Sequence, residues 1–199
     1  TKYGVADGKK VFLETVYDGI VEVERGLITD DILADYEENL FPFSGACDTA
    51  TSGNTAGIYS EALGMALPGS GTLPAGSNFQ VRAAKRTGMQ IMQLLEKNIL
   101  PSDIMTPEAF ENAIRVALSV SGSTNMVLHL IAIGIEMGVE IDFDTFDRLG
   151  RDTPTLVKLA PSGPHGVTDL DSAGGVPSVL KALGDLVYLK AKTVADQTI

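Results

Sequence analysis

Tryptophan is absent from this 199-residue sequence, and cysteine occurs once, at Cys47. A lone cysteine excludes an intrachain disulfide framework and suits a reducing compartment. Positive charge is scarce: 15 Lys and Arg stand against 26 Asp and Glu, which leaves a net charge of −11. Such an excess of acid repels phosphate backbones and anionic lipid, so neither nucleic acid nor a membrane is expected as a partner. No apolar run reaches the roughly 18 residues that a spanning helix needs. The opening Thr1-Lys2-Tyr3 starts no signal-peptide pattern, and a cytoplasmic chain is expected. There is no Gly-x-x-x-x-Gly-Lys-Ser/Thr loop and no dinucleotide-binding glycine fingerprint, which argues against nucleotide cofactors. Internal repeats and low-complexity tracts are also missing.

What is present is globular. Hydrophobic residues make up 44% and charged residues 21%, and the 21 glycines imply many tight turns. The β-branched run Val11–Val16 reads as a strand. Thr29 caps a helix that runs to about Asn39, and Ile58–Leu63 is a helix stopped by Gly64. A long helix is expected from Ser77 to about Asn98. Thr106-Pro107-Glu108 opens another, to about residue 119, with cap and proline in their preferred places. The next helix, through Met137, is apolar all round and reads as buried. Asp144 is expected to cap a short helix at Phe146–Leu149. Thr155–Leu159 and Leu186–Leu189 read as short strands, and Gly174-Gly175 opens a last helix that ends at Gly184. The order is α/β, a helix-rich layered domain with short strands.

Several residues have chemical potential. Cys47 lies among small residues ahead of a helix, where a thiol pKa falls; nucleophile, metal ligand and buried structural thiol are all open readings. A nucleophile would need His129 or His165 as its base. One cysteine cannot complete a zinc site or an iron–sulfur cluster. Ser123, Thr124 and Asn125 lie at a helix start, where hydroxyls and free N–H groups hold a carboxylate or simply cap the helix. His129 lies one turn on, along the same face. Ser162, in Pro161-Ser162-Gly163, brings backbone close to a ligand or forms a plain turn.

Together these blocks resemble one family, the dihydroxy-acid and sugar-acid dehydratases, which include phosphogluconate dehydratase. The resemblance rests on Ser44-Gly45-Ala46-Cys47 with Asn54-Thr55, on Glu61–Gly69, and on Pro101–Ile114. It continues through Ser121-Gly122-Ser123-Thr124-Asn125 with Val127-Leu128-His129-Leu130, Phe146–Leu149 with Thr153-Pro154, and Asp169-Leu170 with Ala173-Gly174-Gly175-Val176-Pro177. The blocks are collinear over nearly the whole chain.

The resemblance implies a hydro-lyase that converts a 2,3-dihydroxy acid to a 2-keto acid, with an iron–sulfur cluster (2Fe-2S or 4Fe-4S) and Mg. It makes Cys47 one of three cluster ligands. The other two cysteines, and the Asp and Lys that bind Mg, would lie upstream of this segment. The Mg-binding Glu and the serine base would lie in a downstream β-barrel domain. Residues 1–199 thus correspond to a single partial domain, the later part of the N-terminal domain, inactive alone. Ser123, Thr124, Asn125, His129 and Ser162 are the candidate contacts to a small hydroxy acid, and the complete enzyme is expected to be a homodimer. Where the family has Gly-Met or Thr-Met and then Thr-Ala-Asn-Thr-Met after the cysteine, this chain has Asp48-Thr49-Ala50-Thr51-Ser52-Gly53-Asn54-Thr55-Ala56. The substrate is either a branched-chain dihydroxy acid or a sugar acid. The alternative is a non-catalytic small-acid-binding or structural module derived from this family.

Overall fold

A computed structural model of the chain describes residues 2–199. It begins with an antiparallel hairpin, β1 (Gly4–Ala6) and β2 (Lys9–Val11), in which Gly4 pairs with Val11. The strand expected at Val11–Val16 ends at its first residue. Thr15 Oγ1 accepts the Phe12 N–H at 3.0 Å, which opens α1 (Leu13–Glu24) instead. A side chain that satisfies a free N–H at a helix start outweighs the β propensity of three residues. Helix α2 (Asp30–Asn39) starts on the Thr29 cap as expected. The hairpin and these two helices enclose a small core of Ala6, Val11, Val16 and Tyr36.

The main body is helical. Helix α3 (Ser52–Ala62) begins a turn and a half earlier than its apolar pattern suggests. Helix α4 (Asn78–Glu96) follows the Ser77 cap, and α5 (Pro101–Ile104) is a single turn. Helix α6 (Pro107–Ser119) is the axis of the body: eight of its thirteen residues are buried. One face of α6 joins α3 and α7 (Asn125–Met137) around Phe110, Ile114, Leu130 and Leu149, with α8 (Phe143–Asp152) closing that layer. Its other face joins α3, α9 (Val167–Ser172) and α10 (Gly175–Leu183) around Ile58, Val116, Leu159 and Val176. Among the described residues the structure is helix-rich with one short two-stranded sheet.

Four further expectations change. Asp142, not Asp144, caps α8 by accepting the Thr145 N–H at 2.8 Å. Helix α7 is not buried all round: Leu128 and Ile135 are 70% and 72% exposed. Residues 155–159 are extended but join no named strand, because the Leu156 and Val157 N–H groups both go to the Ser119 carbonyl. Residues 186–189 pair with a side chain instead of a strand. The buried Asn112 amide accepts the Tyr188 N–H at 2.7 Å and donates to the Tyr188 carbonyl at 3.1 Å. Alternation at 155–159 marks backbone whose partner only the fold supplies, whereas Leu186 ends a 3-10 turn begun at Gly184. Among the described residues no helix is long and apolar enough to cross a membrane.

Candidate functional site

The segment carrying Cys47 is held on three sides. Asp48, 4% exposed, accepts the Thr168 N–H at 2.8 Å, the Thr168 hydroxyl at 2.7 Å and the Tyr3 N–H at 3.2 Å. Its own carbonyl accepts the Val167 N–H at 3.1 Å. The match is tight enough to dictate Gly166: a Cβ there would stand 2.2 Å from Asp48 Oδ2. Ala50 N donates to the Ala160 carbonyl at 2.7 Å. On the third side, the Asn54 amide donates to the carbonyls of Cys47 and Thr49 and closes the loop over the start of α3. Burial pushes the Asp48 carboxyl up; the Thr168 and Tyr3 donors counter only part of that.

The sulfur of Cys47 is half-buried and meets hydroxyls: Thr49 Oγ1 at 3.1 Å and Thr51 Oγ1 at 3.2 Å. Burial acts to raise its pKa, but hydrogen bonds from the Thr49 and Thr51 side chains and the Thr49 backbone outweigh it, and the thiol lies below its ordinary value. These are the partners that favour thiolate, the form that binds metal. The carboxylate of Glu14, in the first turn of α1, opposes thiol ionisation, and its Oε2 is buried without a hydrogen-bond partner among the described residues. Among the described residues no cluster of three or more His, Cys, Asp or Glu is placed to hold a metal ion. Cys47 is the one thiol of the sequence.

The candidate ligand-binding residues divide. Ser123 and Asn125 come to the Cys47 segment: Ser123 N donates to Thr55 Oγ1 at 3.0 Å, Thr55 Oγ1 donates to the Ala50 carbonyl at 3.0 Å, and the Asn125 amide donates to Ser52 Oγ. Ser123 Oγ accepts the Asn125 N–H at 3.2 Å. Thr124 is exposed beside them, and His129 is exposed one turn further along α7. Ser162 is exposed on a turn whose base, Ala160, holds Ala50. The sulfur's hydrogen-bond partners are threonines, so the thiol–histidine pairing is not formed.

Sequence reasoning missed Asp48, Thr168 and Glu14, whose partners are 33 or more positions away, and it missed Glu61. Glu61 is 5% exposed and accepts the N–H groups of Gly69 at 2.6 Å and Gly71 at 2.7 Å. It binds the 67–74 loop to α3, where Gly57 and Gly71 touch so closely that a Cβ on Gly71 would lie 2.5 Å from the Gly57 carbonyl. The loop continues to Thr72, which donates to Asp171 at 2.8 Å. A glutamate six residues ahead of a glycine-rich loop was the available signal.

The Thr49 and Thr51 contacts are testable directly. In a Thr49→Val, Thr51→Val variant the Cys47 thiol pKa rises, and iodoacetamide labelling at neutral pH slows while the unfolding midpoint stays near wild type. Labelling profiles against pH, with quantification by mass, check this.

A helical body carries a single cysteine on a braced loop, beside a loop of hydroxyls and amides. The comparisons give it a family. The model for the N-terminal region of dihydroxy-acid/6-phosphogluconate dehydratases matches residues 3–199, and the chain belongs to that family. It is 44% identical over 200 residues to the dihydroxy-acid dehydratase of Moorella thermoacetica, covering 97% of this chain and 36% of that protein. It is 46% identical over 179 residues to the dihydroxy-acid dehydratase of Pyrococcus abyssi, covering 90% and 32%. To that of Geobacter sp. strain M21 it is 46% identical over 185 residues, covering 93% and 34%. The chain thus spans about a third of the length of the curated relatives it matches.

Proposed function

We propose that this chain is part of a hydro-lyase that removes water from a 2,3-dihydroxy acid to give a 2-keto acid. Residues 1–199 are read as one partial domain, the later part of the N-terminal region, inactive unless joined to the rest. The observation that carries the reading is the braced, thiolate-favouring Cys47 in a chain of this family. Cys47 is assigned as one ligand of an iron–sulfur cluster, with Mg as the second cofactor of the complete enzyme. When bound, such a cluster supplies a Lewis acid that stabilises the departing hydroxyl.

This chain's own residues hold and orient. Hydrogen bonds with Thr49 and Thr51 lower the Cys47 thiol pKa, and Asp48 fixes its loop against α9. Ser123, Thr124 and Asn125 present polar groups to the substrate from the adjoining loop. His129 and Ser162, both exposed, line its approach. The substrate is a 2,3-dihydroxy acid, either a branched-chain one or a sugar acid, in keeping with the name dihydroxy-acid dehydratase that the curated relatives above carry. The setting is a cytoplasmic homodimer that uses neither nucleic acid nor membrane.

The test uses a longer polypeptide that includes this segment, reconstituted anaerobically with iron and sulfide. Iron and sulfide content and keto-acid formation from a branched-chain 2,3-dihydroxy acid and from a sugar acid are measured for wild type and Cys47→Ser. The reading expects wild type to hold a cluster and form product, and Cys47→Ser to lose both. A Cys47→Ser protein with full iron, sulfide and turnover removes the ligand assignment. A wild type that binds the acid but neither cluster nor Mg makes the segment part of a binding module.

A further inference from the structure

The first turn of α3 grips two loops at once. Asn54 donates its amide to the carbonyls of Cys47 and Thr49. Thr55 uses both sides of one hydroxyl: it donates to the Ala50 carbonyl and accepts the Ser123 N–H, each at 3.0 Å. Ser52, three residues back on the same helix, accepts the Asn125 amide. The cysteine loop and the loop that leads into α7 are therefore joined through three residues of one helical turn.

The three contacts are not equivalent. Ser52 is exposed, so water can replace its bond to Asn125, whereas Thr55 is 1% exposed and shut away from water. Without its hydroxyl, a carbonyl on one loop and an N–H on the other both lose their partner. The threonine methyl bears on the second loop as well. A Cβ on Gly122 would stand 3.0 Å from Thr55 Cγ2 and 2.8 Å from the Ala117 carbonyl. Ser121 enters that loop in the left-handed region, at φ 57°, and its hydroxyl donates to the Val157 carbonyl at 3.3 Å. The loop is thus fixed at residue 121 and rests on Thr55 at residues 122 and 123.

We propose that Thr55 is a positioning residue for the dehydration: its hydroxyl sets the 123–125 loop at a fixed place relative to Cys47, and so places the acid that this loop holds. The inference rests on the preceding section's reading of Ser123, Thr124 and Asn125 as contacts to the acid. Thr55, buried behind the loop, acts through it. A threonine needed only for folding would lower the cluster-loaded fraction, and kcat would fall at unchanged KM. A positioning threonine raises KM in protein that is fully loaded.

The test uses the longer polypeptide reconstituted with iron and sulfide. Thr55→Val and Thr55→Ala are expected to keep their iron, sulfide and helical circular dichroism. Their KM for the acid rises about tenfold, the scale of one lost hydrogen bond. Their amides at residues 121–126 exchange faster with deuterium. Thr55→Ser, which keeps the hydroxyl, is expected to restore both KM and protection. Asn125→Ala, the control on the loop itself, is expected to raise KM. Wild-type KM and exchange in the Thr55 variants, beside a raised KM in Asn125→Ala, overturn the role of Thr55 and leave the reading of the loop standing. So does a loss of iron and sulfide with KM unchanged, or a Thr55→Ser protein as impaired as Thr55→Val. An unchanged KM in Asn125→Ala, or a wild type that forms no keto acid, overturns the reading and this role together.

Discussion

Replacing Asp48 by alanine is expected to lower the unfolding free energy by about 3 kcal/mol, because two buried donors on Thr168 lose their acceptor at once. A buried N–H or O–H left without a partner costs roughly 1–3 kcal/mol, and the Tyr3 N–H is released as well. The damage is local in space and long in sequence: the bonds join residues 120 positions apart. Thr168→Val, which leaves the backbone N–H bonded, costs about 1 kcal/mol. Urea unfolding of the three proteins checks the ranking. The functional consequence falls on Cys47, one residue away. With the Asp48 pin gone, the sulfur leaves its threonine partners, and the Cys47 thiol of Asp48→Ala titrates higher than in wild type. An Asp48→Ala protein with wild-type stability and labelling would show that the loop is held by something other than this carboxylate.

Glu61 offers the second large effect and a pH signature. Its carboxylate is raised above the ordinary glutamate value of 4.5; burial is the leading cause, and the N–H donors of residues 69–71 offset part of it. A folded-state pKa above the unfolded one means that the native chain holds its proton more tightly. Stability therefore falls as pH rises from about the unfolded value through the raised one, and stays lower above it. Glu61→Gln removes this fall. The difference in urea midpoint between Glu61→Gln and wild type should shift in the variant's favour as pH climbs through that window. Glu61→Ala has the opposite fate at every pH. It strands the N–H groups of Gly69 and Gly71, loosens the loop from α3, and costs about 3 kcal/mol. A pH-independent difference between Glu61→Gln and wild type would contradict the assigned shift.

The caps of α2, α4 and α6 were legible because each is one Thr or Ser bonding an N–H three residues on. Such a bond depends on nothing outside its own turn. The family was legible for a related reason: its blocks are contiguous runs in a set order, and the match over residues 3–199 agrees with that reading. The expected strand at Val11–Val16 failed at a cap whose acceptor, Thr15, lies inside the run itself. The two later strands failed because Ser119 and Asn112, distant in sequence, took the backbone groups that a ladder would have used. The all-round burial expected of α7 failed, since one face holds Met126 and Leu130 in the core and the other leaves Leu128 and Ile135 exposed, and composition does not say which way a helix is turned.

The sequence by itself determined where most helices begin, that the chain is acidic with one thiol, and which family it belongs to; these are properties of short range or of order along the chain. Only the tertiary structure decided that Asp48 anchors the cysteine loop, and that Ser123 and Asn125 reach it while His129 and Ser162 bond elsewhere or stay exposed. Those facts depend on distances between residues far apart in sequence, which local propensity does not encode and close packing does.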